Sequence, residues 1–570
     1  MSISAVVFKH RRAAWLLGTI VTFAIPAQSQ VLPGAVQPGR DRVGPALPAQ
    51  PDFDFSIVAP HRSAVPRAVD EVHFKLAGLK ITGATTIPAD FFHPFYESKI
   101  GKDVTLVDIL DVADRIEAEY RKRGYLLVRA YVPPQRVKDG IFTINVVEGR
   151  LDNVTVQGGD DTTRDLIKDY LAPAVASHPV TLPAMERGLL LTNDIPGISA
   201  TGVLRPSPNT PGASDLVVDV LQPWIEGGLA ADNRGSRFSG LWTMQGDVEF
   251  NDIFGADQLA ATLTFSPDSF QEQIAGQARY RRAIGDDGLI GSMIVTVTHG
   301  EPGSTLAAFD VLTDSWAVGP RLTYPLIRSR SETLLLDGGF TVQEANVNSL
   351  GTGLSHDNWR VLDMGGSYQR NGLLGDGSVW TSTFDVAQGL PIFGATDNHS
   401  PELSRVGGLT DFTKVTGFSR LSIPLVDTFG VVFSAQGQYS FVPLITGEQI
   451  AFGGTQIGRG YDPGAITGDH GLGGSAELRY DWRVPTNDVL QLLEPYVYID
   501  GARTWYIQRG PAIDPSLINA NIASVGGGLR YWFPYNITAG TEVARTMNAV
   551  PGSDGGRMAT KFLVDLSVRY

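Results

Sequence analysis

A chain of 570 residues with 43% hydrophobic, 9% aromatic and only 19% charged residues is long enough for several domains and excludes wholesale disorder. A formal net charge of −14 without a basic cluster argues against nucleic acid as the main partner, and the absence of cysteine removes disulfides, thiol catalysis and thiolate metal sites. Sixty-four glycines beside so few charges suit many short strands and turns better than a helical enzyme.

The N-terminus reads as a secretory signal over residues 1–29. Lys9, His10, Arg11 and Arg12 form a basic region, Ala13 to Ile25 an apolar one, and Ala27-Gln28-Ser29 offers small residues for cleavage. The apolar run is too short to span a bilayer, which takes about 20 residues. Residues 30–70 read as an extended linker, because prolines at 33, 38, 45, 48, 51, 60 and 66 leave no room for a stable helix.

Residues 71–149 follow a βααββ pattern. Pro88 starts a short helix, and Thr105 with Asp108 predicts a capping box for the next. On that second helix Leu106, Ile109, Val112, Ala113, Ile116 and Tyr120 share one face, and Gly124 is placed to stop it. The pattern repeats over residues 150–221, with Pro183 opening a helix, so the two units read as an internal duplication. Each unit puts helices on one face of a small sheet with an edge left open. Such an edge is either part of a spacer or an acceptor for an extended peptide by strand addition.

The 349 residues from Gln222 to Tyr570 show alternation in place of helical periodicity. Phe433, Ala435, Gly437, Tyr439 and Phe441 alternate with Ser434, Gln436, Gln438 and Ser440. Near the end, Phe562, Val564, Leu566, Val568 and Tyr570 oppose Lys561, Asp565, Ser567 and Arg569. A signal peptide, no apolar helix and one charged face predict an outer-membrane barrel, apolar to lipid and charged to a wet lumen, of about sixteen antiparallel strands. Between SAQGQYSF and LGGSAELRY lie residues 443–471, too long for a hairpin and rich in glycine. This predicts a loop folded back into the pore. Asp500 alternates with Tyr496 and Tyr498 and so faces the lumen, where Arg459 can meet it in a charge-assisted, bidentate bond. The competing reading of Arg459 is a solvated external turn.

Two duplicated units before a barrel, Ile195-Pro196-Gly197 through Ser214-Asp215-Leu216 in the second unit, the Arg459-Gly460-Tyr461 loop, the later strand with Asp500 and the aromatic terminus Tyr570 together resemble the TpsB transporters of two-partner secretion. The resemblance spans roughly residues 72–570. It implies two POTRA domains that capture an unfolded exoprotein by its N-terminal secretion domain in the periplasm. A barrel in outer-membrane lipid then passes the exoprotein to the outside. It also implies a pore-loop lock made by Gly458, Arg459, Gly460, Tyr461 and Asp500, a C-terminal strand read by the barrel assembly machinery, and a monomer. Neither cofactor nor metal is expected.

Two positions depart from the family pattern. The family usually has Val or Ile where Gly458 stands, and its strand motif runs aromatic-x-Asp-x-Gly, whereas Tyr498-Ile499-Asp500-Gly501-Ala502 carries its glycine one position early. The Pro-rich linker gives no good match to the plug helix of some members. An outer-membrane insertion factor of the same superfamily is the alternative function, although such factors often carry more POTRA repeats. A passive porin leaves both N-terminal units idle. An enzyme is disfavoured, since the nine histidines include no H-E-x-x-H and no G-x-S-x-G occurs.

Overall fold

In the computed structural model the described residues are 56–57, 73–137, 139–210, 212–426, 428–484, 489–508 and 519–570. The signal sequence, and all of the linker except residues 56–57, lie outside the described residues.

The first unit is a three-stranded sheet with helix α1, Leu106–Lys122, against it. Its central strand Ile141–Glu148 runs parallel to Gly78–Thr82 and antiparallel to Val128–Tyr131. The Thr105 hydroxyl and Asp108 form the capping box, and Gly124, with φ +88°, follows the helix end at Arg123. Ile109, Val112, Ala113, Ile116 and Tyr120 are buried, whereas Leu106 at the first turn is only partly so. Pro88 precedes a 3-10 turn, Ala89–Phe95, whose Phe92 stacks on Tyr120.

Glu148 ties the end of this sheet to the helix. Burial alone pushes its carboxyl up. The Thr85 hydroxyl, the Tyr120 phenol and the backbone N–H groups of Thr85 and Thr86 outweigh that and hold it at about 2.

In the second unit, Ala213–Leu221 runs parallel to Arg150–Gln157 and antiparallel to Ser199–Pro206, under helices α2, Asp161–Ala176, and α3, Leu182–Asp194. Here the expected open edge differs: Ser56–Ile57 of the linker pairs parallel with Val203 and Leu204 on the outer side of Ser199–Pro206.

The rest is a closed antiparallel barrel of sixteen strands. They are β1 Ile225–Asp232, β2 Thr243–Asn251, β3 Asp257–Phe265, β4 Ile274–Ile284, β5 Leu289–Gly300, β6 Val311–Arg328, β7 Glu332–Ser349 and β8 Thr352–Asn371. There follow β9 Val379–Gly389, β10 Thr413–Val426, β11 Phe429–Ser440, β12 His470–Tyr480 with its continuation Trp482–Arg483, β13 Leu492–Trp505, β14 Asn519–Phe533, β15 Ile537–Thr546 and β16 Thr560–Arg569. β16 pairs with β1 through Gly228↔Arg569 to Asp232↔Asp565, which closes the seam.

The pleat sorts the side chains as the alternation predicts. Phe433, Tyr439, Phe441, Val497, Ile499, Phe562, Leu566 and Tyr570 are exposed on the outer wall, while Gln438, Ser440, Tyr496, Tyr498 and Asp500 are buried toward the lumen. The second unit docks on the rim of this barrel. Arg328 Nε and Nη2 donate to the two carboxylate oxygens of Asp194 at 2.8 Å each, and Ala256 from the β2–β3 turn and Ala283 from the end of β4 pack into the same core as α2 and α3.

Candidate functional site

The segment joining β11 to β12, residues 441–469, turns back into the barrel. Its neck is fixed by buried charge. Glu448 accepts from Trp359 Nε1 at 2.6 Å and pairs with Lys414 Nζ at 2.8 Å, while Asp469 pairs with Arg405 and accepts the Leu444 and Ile507 N–H groups at 2.9 and 2.7 Å. Below the neck, Ile450–Phe452 and Ile466–Gly468 form a two-stranded hairpin. Phe452, Ile457, Tyr461 and Ile466 are buried against Ala502 of β13 and Ile522 of β14. Apolar burial thus seats the hairpin, and the wall is cut to fit: a Cβ on Gly473 of β12 would lie 2.7 Å from the Phe452 ring.

The tip carries Gly458, Arg459, Gly460 and Tyr461. Gly458 has φ +85°, and a Cβ there would meet Ile522 Cδ1 at 2.4 Å, so the departure from Val or Ile follows from a left-handed turn pressed on the wall. Ile457 one position earlier supplies the buried apolar side chain. The other departure resolves similarly. Ala502 faces Gly473 across the β12–β13 ladder, so the glycine that admits the hairpin stands on the neighbouring strand.

Arg459 is 8% exposed and Asp500 4%. The geometry brings them together, but not as a bidentate fork. Asp500 Oδ2 accepts the backbone N–H of Arg459 at 3.0 Å and lies 3.5 Å from its Nε, while Nη1 donates to Glu477 on β12 at 2.8 Å. The split follows from strand positions: Asp500 and Glu477 sit on adjacent strands two ladder steps apart, and the guanidinium lies between them. Its Cζ stands 3.3 Å from the centroid of the buried Tyr498 ring, a cation–π contact.

Gly460 N–H donates to Ser524 Oγ at 3.1 Å, and the Ser524 hydroxyl donates to Asp500. The Tyr461 hydroxyl donates at 2.8 Å toward the carbonyl groups of Ala523 and Asn548. Arg530 Nη1 and Nη2 hold Glu477 from its other side at 2.9 and 3.0 Å. Glu477, Ser524, Asn548 and Arg530 escaped sequence reasoning. For Glu477 the signal was its place on the charged face of an alternating strand, which says lumen but not which cation.

Elsewhere among the described residues, Asp337, Asp363 and Asp385 bring carboxylate oxygens within 4.8 Å of one another. Arg321 already ion-pairs with Asp337 and Asp363, and its guanidinium fills the place of a cation there.

Comparison with known proteins places this architecture. The family model described as haemolysin secretion/activation protein ShlB/FhaC/HecB matches residues 212–531, and the ShlB-type POTRA domain model matches residues 74–149. The heme/hemopexin transporter protein HuxB of Haemophilus influenzae (strain 86-028NP) is 22% identical, over 93% of this chain and 94% of its own. The outer membrane transporter CdiB of Escherichia coli O6:K15:H31 (strain 536 / UPEC) is 23% identical over 70% of this chain and 67% of its own. Among solved structures, CdiB from Escherichia coli superposes with a TM-score of 0.66 at 20% identity, over 90% of this chain and 93% of that one. A closed barrel, POTRA domains before it and a family match over more than half its length place the chain in the ShlB/FhaC/HecB family: it is a two-partner-secretion transporter of the bacterial outer membrane, with its POTRA domains in the periplasm.

Proposed function

We propose that the chain captures an unfolded exoprotein in the periplasm through its two POTRA domains and passes it through the barrel, whose resting pore is occupied by the loop of residues 441–469. The observation that carries the loop's role is the burial of Arg459 between Asp500 and Glu477 in the lumen. A buried charge held from two strands fixes one loop position, and removing one partner of such a set costs about 3–5 kcal/mol. Gly458, Gly460 and Tyr461 set the tip against β14, and Asp500 with Glu477 supplies the countercharge.

The sheet edges of the POTRA domains are where an extended exoprotein segment adds as a strand. Val128–Tyr131 is such an edge in the first domain. One chain forms the complete pore, and the strand ending at the exposed Tyr570 is the element read by the assembly machinery. No nucleotide motif appears in the sequence, so folding of the exoprotein outside supplies the drive.

Deletion of residues 72–221 in the native host tests the capture role. The expected result is loss of one exoprotein from the culture medium while the barrel still reaches the outer membrane and conducts ions in planar bilayers. Unchanged exoprotein in the medium refutes capture by these domains.

A further inference from the structure

The closing seam of the barrel contains an electrostatic conflict. Asp232 at the end of β1 stands directly opposite Asp565 of β16, and like charges facing each other across a strand pair oppose pairing. Arg234, two residues beyond Asp232, lies over the pair. Its backbone N–H donates to Asp232 Oδ1 at 2.8 Å, and its Nη2 stands 3.9 Å from Asp565 Oδ1. The same Nη2 is closer, 3.3 Å, to Glu542 of β15, a carboxylate only 3% exposed. Glu542 is the acceptor for both lumenal tyrosines, Tyr496 at 2.6 Å and Tyr498 at 2.9 Å, and Tyr498 is the ring beneath the Arg459 guanidinium. Arg234 and Arg459 also line one small cavity of about 20 Å³, together with Tyr461 and Lys561, so the seam segment and the loop tip adjoin.

We infer that Arg234 is a positioning residue that couples the docked loop to the seam. With the loop in place, Arg459 shares the field of Glu542 through Tyr498, and Arg234 is divided between Glu542 at 3.3 Å and the Asp232–Asp565 pair, 3.9 Å from Asp565 Oδ1. When Arg459 leaves, Arg234 is the cation that remains against the buried Glu542. It is drawn there and away from Asp565, and the two aspartates face each other uncompensated. Withdrawal of the loop therefore loosens the seam and lets the pore widen for its cargo. The inference rests on the reading of the loop as a movable closure, but its test involves no export, so the two fail separately.

Amide hydrogen exchange on the full chain in lipid nanodiscs reads the seam through peptides covering residues 226–233 and 562–570. Arg459→Ala is expected to speed exchange there about two- to fivefold, as a cross-strand like-charge cost implies, with β6 to β8 unchanged. Adding Asp565→Asn to that variant returns the seam to the wild-type rate. Glu542→Gln, which releases Arg234 to the aspartate pair with the loop still docked, slows seam exchange below wild type. Wild-type seam exchange in Arg459→Ala overturns the coupling. So does fast exchange that persists in Arg459→Ala/Asp565→Asn, or a seam loosened by Glu542→Gln.

Discussion

At the tip of the infolded loop, one guanidinium is divided between two carboxylates and a ring. That division changes the expected outcome of a charge reversal. Arg459→Asp combined with Asp500→Arg restores the sign of one pair but leaves an aspartate facing Glu477, which Arg459 Nη1 engages at 2.8 Å. The double variant is therefore expected to export no better than either single variant, whereas adding Glu477→Gln to it recovers part of the loss. Recovery by the double variant alone, measured as exoprotein in the medium, contradicts the shared geometry. Arg459 was legible through the resemblance to the family's Arg-Gly-Tyr loop, and Asp500 through the alternation that turns Tyr496, Tyr498 and Asp500 to one face of β13. Glu477, Ser524 and Glu542 were not, because their meeting depends on the register of the four strands β12 to β15, and alternation gives a face without giving a neighbour.

Among the elements, the first POTRA domain was the most readable, since its cap, its stop and most of its buried helical face are set by residues three or four apart. Its stability carries an acid signature. Glu148 and Asp108, each held at about 2 by hydrogen bonds that overcome burial or add to an ion pair with Lys99, bind protons in the unfolded chain before they do in the folded one. Their contribution is complete above the unfolded values of 4.5 and 3.8 and is lost as pH falls toward about 2. Pepsin cleavage within residues 74–149 is expected to accelerate from pH 4.5 to pH 2 and to change less over that range in Glu148→Gln. A flat rate in the wild-type chain contradicts this account. The second domain held a pairing that the sequence hid: a linker read as extended because of its prolines contributes Ser56–Ile57 to a sheet edge. Two residues between prolines are too short for any alternation to register.

On the scale of the whole molecule, the second POTRA domain is joined to the barrel by the Asp194–Arg328 pair between α3 and β6. Both side chains are almost fully buried, so Arg328→Ala leaves an uncompensated carboxylate at the rim and is expected to weaken docking by about 3–5 kcal/mol. Faster amide exchange in α3 with an unchanged barrel is the measurement that checks it, and wild-type exchange there contradicts a docked domain. The most direct test of the whole is to express Arg459→Ala in the native host and compare the culture medium with the outer membrane. A folded barrel at wild-type level in the membrane and an exoprotein missing from the medium are expected. A wild-type amount of that exoprotein outside the cell contradicts this expectation.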